Sequence, residues 1–301
     1  MKKIRFYLEY KLLVMLGWII RRLPRSGVMV LGRRAGDLIY YLVPIRKTVT
    51  LDHLRRAFPE KTEQEIRVIG RQAYQNLATL CFEHICISYM DKEELLKFVR
   101  FEGKEVLDTA FDRGKGVIFV GGHFGNWEYM GGATSVQGYP IAYVVAHIAN
   151  PYIDERVNGH REKMGVTILS KGMSVRGVLK TLRGNGGMAI LIDQDSGRNG
   201  IFVDYFGRLC STPRGPALFA LKTGAALVYV SSVRGDDGVI TCAFEDIEID
   251  YEAGDTEENI HAIIQRCTLM LENSVRQHPG QWFWMHRRWK TRPEEIPAES
   301  H

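Results

Sequence analysis

The run Gly116-Val117-Ile118-Phe119-Val120-Gly121-Gly122-His123-Phe124-Gly125-Asn126-Trp127-Glu128 reads as the end of a buried strand, a tight turn and the start of a helix. The stretch Val117–Val120 is unbroken apolar sequence of strand length. Two glycines then let the backbone turn sharply, at the end of a strand, where open α/β sheets bind their ligands. A histidine there can serve as a general base near neutral pH, and a carboxylate five residues on can orient it and stabilise its protonated form. Residues five apart on one helix point about 140° away from each other. His123 must therefore sit in the turn and Glu128 in the first turn of the next helix. Gly125 and Asn126 suit that boundary, Asn126 as its N-cap. The His-x4-acid spacing is not specific by itself: with nine histidines and 35 acids in 301 residues, chance supplies such a pair. The alternative is a helix-start histidine with a solvated glutamate.

Outward from this run, strands and helices alternate from about residue 98. Strands are expected at Val99–Glu102, Val117–Val120, Ile141–Ala146, Val166–Leu169, Met188–Ile192, Ala226–Val233 and Val239–Phe244. Helices are expected at 104–113, from Asn150 to near Gly165, from Met173 to Arg183, at 213–223 and over Glu257–His278. That alternation predicts an α/β domain over 98–301, with a mixed, largely parallel central sheet flanked by helices. Ahead of it, residues 1–97 read as a helical portion. Its second apolar stretch is stopped by Pro44, helices follow over 51–59 and 62–89, and Thr62-Glu63-Gln64-Glu65 forms a capping box.

The first 60 residues hold 13 Lys and Arg against four Asp and Glu, a net of +9 in a chain whose total is +5. A basic region interleaved with large aliphatics points to an anionic lipid surface more than to nucleic acid, for which no motif is present. Leu12–Ile20 is an apolar run of nine residues between Lys11 and Arg21-Arg22, short of the roughly 20 that span a bilayer. The expectation is a membrane-anchoring helix over about 1–22 that lies in the interface with Trp18 at headgroup level, the alternative being a core helix. The five scattered cysteines fit a reduced, intracellular compartment.

Asp193-Gln194-Asp195 follows another apolar strand. It could hold a nucleotide diphosphate through a divalent cation, as in a metal-dependent glycosyltransferase, line an acceptor pocket, or cap a turn. The aromatic and basic segment Gln281–Pro293 reads either as an interfacial belt or as a packed core edge. A Gly-x-Ser-x-Gly elbow, a Walker A loop, a Gly-x-Gly-x-x-Gly after a strand and a cysteine–histidine metal cluster are all missing from the sequence.

Taken in order, several stretches resemble the bacterial lipid A late acyltransferases of the lysophospholipid acyltransferase superfamily. They are Ala57-Phe58-Pro59-Glu60, the run Gly121–Glu128, Asn150-Pro151 with Asp154 and Arg161, Asp193-Gln194-Asp195, Phe206-Gly207 with Thr212-Pro213 and Gly215-Pro216-Ala217, and Gln281-Trp282 with Trp284 and His286–Lys290. The resemblance implies transfer of a fatty acyl chain from acyl carrier protein to a hydroxyl of a membrane glycolipid, a lipid A precursor, at the cytoplasmic face of the inner membrane, with no cofactor or metal. His123 would take the hydroxyl proton, Glu128 would hold its imidazole, and backbone N–H groups of the turn and helix start would stabilise the oxyanion. Gly125, Asn126, Arg161, Asp193 and Asp195 would contact substrate, Arg161 through a phosphate and Asp195 through the acceptor sugar. One departure stands out: Val145-Ala146-His147 replaces a Tyr-Arg-Pro-like run usual in similar proteins, which leaves the acceptor open.

Overall fold

The structure is a computed structural model that describes residues 2–43, 45–145, 147–170 and 174–293. Pro44, Ala146 and Met173, each read above as an element boundary or departure, lie outside the described residues.

Five helices precede the first strand: α1 (Lys2–Ile20), α2 (Arg25–Leu42), α3 (Lys47–Ala57), α4 (Glu63–Ile87) and the short α5 (Lys92–Leu96). The capping box that starts α4 is present. The Thr62 hydroxyl accepts from the Glu65 N–H, and the Glu65 carboxylate accepts from the Thr62 N–H at 2.8 Å. These helices share their core with the sheet: Leu54, Phe58 and Ile66 sit in one apolar cluster with Ile118, Ile192 and Trp282.

The sheet has seven strands: β1 (Val99–Glu102), β2 (Val117–Gly121), β3 (Ile141–Val145), β4 (Thr167–Ser170), β5 (Gly187–Leu191), β8 (Ala226–Arg234) and β9 (Ile240–Ile247), in the spatial order β1-β9-β8-β2-β5-β3-β4. All pairings are parallel except β8 with β9, whose short connection through Gly235 and Gly238 makes a hairpin. The expected mixed, largely parallel α/β architecture is therefore the one observed. Each expected strand is present, with bounds moved by a few residues. Two features were not expected: α5, and a separate hairpin of β6 (Ile201–Asp204) and β7 (Leu209–Thr212), which stands outside the strand–helix alternation.

Side chains alternate along β2, as the pleat requires. Ile118 and Val120 face a cluster with Ala217 and Ala220 of α10 (Gly215–Thr223) and residues of α11 (Glu257–Gln277). Val117 and Phe119 face the other way, toward Tyr129, Met130 and Ala133 of α7 (Trp127–Val136). The chain thus leaves β2 toward one face of the sheet and leaves β5 toward the other. That reversal between neighbouring strands opens a crevice at their carboxyl ends.

Candidate active site

The crevice holds both motifs. Gly121 lies opposite Leu191 in the β2–β5 register, so His123 and Asp193 leave the sheet side by side. The Asp193 carboxylate accepts three hydrogen bonds: from the His123 backbone N–H at 2.7 Å, from His123 Nδ1 at 2.8 Å and from Trp282 Nε1 at 2.9 Å. A carboxylate can only accept, so Nδ1 carries the proton and Nε2 is left as the basic nitrogen. Burial disfavours the imidazolium, yet the charge and hydrogen bond of Asp193 outweigh it and hold His123 above the ordinary histidine range. Asp193, buried, is held below the carboxylate range against its own desolvation by His123 and Trp282.

Glu128 is where the spacing argument put it, in the first turn of α7, but its carboxylate does not hold His123. It pairs with Arg161 of α8 (Pro151–Lys163), which donates from Nε at 3.1 Å and from Nη2. Burial pushes Glu128 up, and the hydrogen bond and charge of Arg161 push harder the other way, so it is ionised. The expected His123–Glu128 pair is corrected to two pairs, His123–Asp193 and Glu128–Arg161. The reason is geometric: the helix start turns Glu128 toward α8, while the neighbouring strand delivers Asp193 to the ring.

Three further expectations change. Gly125 (φ +60°) is packed so closely that a Cβ would lie 1.4 Å from the Ser232 carbonyl oxygen, and Asn126 is fully buried. Asn126 caps α7 by accepting from the Tyr129 N–H at 2.9 Å and donates to Glu83 at 2.7 Å. Both residues shape the turn instead of facing substrate. Asp195 accepts from the Thr291 N–H and hydroxyl, so it ties down the C-terminal segment instead of meeting a sugar. With Asp193 turned to His123 and Asp195 to Thr291, the two acids do not converge as a cation site needs. Among the described residues no group of three or more His, Cys, Asp or Glu is placed to hold a metal. Of the expected oxyanion donors in the turn and helix start, three turn N–H groups are taken: that of His123 by Asp193, of Phe124 by Gly122 O and of Gly125 by Gln281 O.

Of the two readings of Gln281–Pro293, the core edge is the observed one. Trp282, Trp284, Trp289 and Arg288 are buried, Phe283 N–H donates to His123 O at 3.1 Å, and His286 Nε2 accepts from the Asp195 N–H at 2.9 Å. Trp282 was missed as a site residue because its indole acts on Asp193 from 89 positions away.

A cavity of about 610 Å³ opens at this crevice, lined by His123, Glu128, Arg161 and Gln194 and otherwise mainly by apolar side chains, within the usual range of about 300–1,000 Å³ for ligand pockets. It exists because the sheet splits. The β3–β5 pairing covers only 141–143 opposite 187–189, whereas β3 stays with β4 to Val145 and β5 stays with β2 to Leu191. Beyond the split, Val144, Val145, Ile190 and Leu191 line the gap, which reaches Phe119 and Met130 on the α7 side and Pro216 and Phe219 on the α10 side. One polar end with an activated imidazole and a long apolar interior suit a hydroxyl-bearing headgroup and an aliphatic chain.

The family model for bacterial lipid A biosynthesis acyltransferases matches residues 2–291. The chain belongs to that family. It is similar to the lipid A biosynthesis lauroyltransferase of Escherichia coli (strain K12), 24% identical over 93% of this chain and 91% of that one. It is also similar to the lipid A biosynthesis palmitoleoyltransferase of the same strain, 25% identical over 92% and 89%. The phosphatidylinositol mannoside acyltransferase of Mycolicibacterium smegmatis is 28% identical over 60% of this chain and 59% of its own. This member of the lipid A acyltransferase family is an acyltransferase, and its relatives act on glycolipids.

Proposed function

We propose that the protein transfers a fatty acyl chain from acyl carrier protein to a hydroxyl of a membrane glycolipid, a lipid A precursor in the first instance. The observation that carries this reading is His123 Nε2, freed as a base by the Asp193–Nδ1 bond, at the mouth of an apolar cavity. His123 takes the proton of the acceptor hydroxyl as its oxygen attacks the thioester carbonyl, and Asp193 stabilises the imidazolium that forms. The C–O bond forms, the C–S bond breaks, and the proton passes from His123 to the departing thiolate. The acyl chain lies in the gap between β3 and β5. Arg161, neutralised in part by Glu128, meets the anionic headgroup on the cavity wall. The mannoside acyltransferase among the relatives widens the acceptor to glycolipids other than lipid A.

The reading places the protein on the cytoplasmic face of the inner membrane. Ile4, Leu8, Leu12, Met15, Leu16 and Ile19 form one exposed stripe of α1, and exposed apolar patches mark interaction surfaces. No described helix is long and apolar enough to cross a membrane, which favours a helix lying on it. Asn150 Nδ2 donates to Phe6 O at 2.8 Å, so α1 is clamped to the loop beside Ile148 of the cavity lining.

The test is transfer of labelled acyl groups of graded length from acyl carrier protein to total membrane lipids, with EDTA present. Wild type should label a glycolipid, and His123→Ala should lose about 10²–10⁴-fold, so that a loss below about threefold overturns the assignment. Activity that appears only with sugar nucleotides and a divalent cation would move the protein to a glycosyltransferase.

A further inference from the structure

In the turn after β2 the N–H groups of His123, Phe124 and Gly125 are already bonded. His123 N–H is on Asp193, Phe124 N–H on Gly122 O, Gly125 N–H on Gln281 O, and one turn into α7 the N–H groups of Tyr129 and Met130 are on Asn126. A tetrahedral intermediate formed beside His123 needs a donor aimed at its oxygen, and a side chain there can supply one.

Such a donor stands between the two acids. The Gln194 side-chain amide lies 3.5 Å from His123 Nε2, and the side chain is exposed to the cavity it helps line. Its backbone is fixed on both sides: Asp193 is bound to His123 and Trp282, Asp195 to Thr291, and Gln194 O accepts from Arg288 Nη1 at 3.3 Å. The tautomer settles which end of the amide faces the ring. Nδ1 donates to Asp193, so Nε2 is an acceptor, and the group turned toward it must be the amide NH₂. That NH₂ has two hydrogens. When the acceptor hydroxyl takes the single lone pair of Nε2, that NH₂ is free to meet an oxygen bound beside it.

We propose that Gln194 is a catalytic residue, whose Nε2–H donates to the thioester carbonyl oxygen and to the oxyanion it becomes. The inference rests on the acyl-transfer reading above. The acceptor oxygen, within hydrogen-bond reach of His123 Nε2, adds to the carbonyl carbon. The carbonyl π pair moves onto the oxygen facing Gln194, the hydroxyl proton goes to His123, and on collapse the pair returns as the C–S bond breaks and the thiolate takes that proton. Gln194 donates a hydrogen bond throughout and transfers no proton. Its share grows as charge develops on the oxygen, so it acts on kcat more than on binding.

The experiment compares wild type, Gln194→Ala and Gln194→Glu in the acyl carrier protein assay, with kcat, KM, melting temperature and the pH dependence of kcat/KM recorded. Wild-type transfer must be seen first; its failure would count against the acyl-transfer reading itself. With wild type active, Gln194→Ala should lose about 10²–10³-fold in kcat, the worth of one oxyanion donor, with KM and melting temperature little changed and the acid limb of the pH profile retained. Gln194→Glu, which puts an acceptor where a donor is needed, should be no better than Ala. A kcat within about threefold of wild type in Gln194→Ala, or a loss carried by KM alone, would overturn the assignment and hand the oxyanion to the first N–H groups of α7. Recovery of activity in Gln194→Glu would overturn it too.

Discussion

His123 is defined by what lies on each of its nitrogens. Asp193 holds Nδ1, so the acid should matter both for rate and for the pH at which the base is free. A general base must be deprotonated, and its partner raises its pKa. The kcat/KM of wild type should therefore fall with decreasing pH along a limb whose midpoint lies above the ordinary histidine value of about 6.5. Asp193→Asn removes the largest interactions that raise the pKa and leaves burial, which lowers it. The limb should move to lower pH while the rate drops by about 10²–10⁴-fold, the worth of a positioned base. Glu128→Gln should move that midpoint in the same direction but less, since Glu128 acts on His123 by charge alone and after Asp193, and should raise affinity for an anionic acceptor by leaving Arg161 its full charge. An unmoved limb in Asp193→Asn would return the base-orienting role to Glu128.

The turn after β2 is held from behind by α4. Glu83, fully buried, accepts from Arg25 of α2, from Arg234 of β8 and from Asn126 of the turn. Asn76 bonds Arg234 and donates to Gln281 O, the acceptor of the Gly125 N–H. Removing the carboxylate leaves two guanidiniums without their counter-charge, so Glu83→Leu should cost about 3–5 kcal/mol in urea unfolding. Gly125→Ala meets both a positive φ and a carbonyl oxygen in the space its Cβ needs, and should destabilise by more than the about 1–3 kcal/mol of backbone strain alone. The elements themselves were largely legible: the capping box of α4 and the apolar runs of β2 and β5 are local patterns. The identity of the carboxylate on His123 was not, because Asp193 reaches it only through strand pairing across 70 positions.

Across the whole molecule, exposed apolar side chains gather in the first two helices: the stripe of α1, and Val30, Leu31, Leu38 and Leu42 of α2. The basic N-terminal quarter flanks it, and Arg22 lies over the Trp18 ring, 3.3 Å from its centroid. Vesicles containing anionic phospholipid should sediment the wild-type protein, and added salt should weaken this as it screens contributions of about 1 kcal/mol per basic residue near the surface. Leu8→Asp with Leu12→Asp should release the protein from vesicles with its melting temperature unchanged, because both side chains are exposed. Retained binding would show that this stripe is not the membrane face.

The sequence alone carried the α/β class, the element order, the turn bearing His123, the helix start bearing Glu128 and the basic, apolar N-terminus, because each is written in periods, caps and glycines a few residues long. Strand order was decided only in the tertiary structure. It set β5 beside β2, gave His123 to Asp193 and Glu128 to Arg161, occupied the N–H groups of His123, Phe124 and Gly125, and split the sheet between β3 and β5 to make the cavity. Those contacts join segments far apart in the chain, and their partners are chosen by how helices and strands pack, for which local sequence holds no sign.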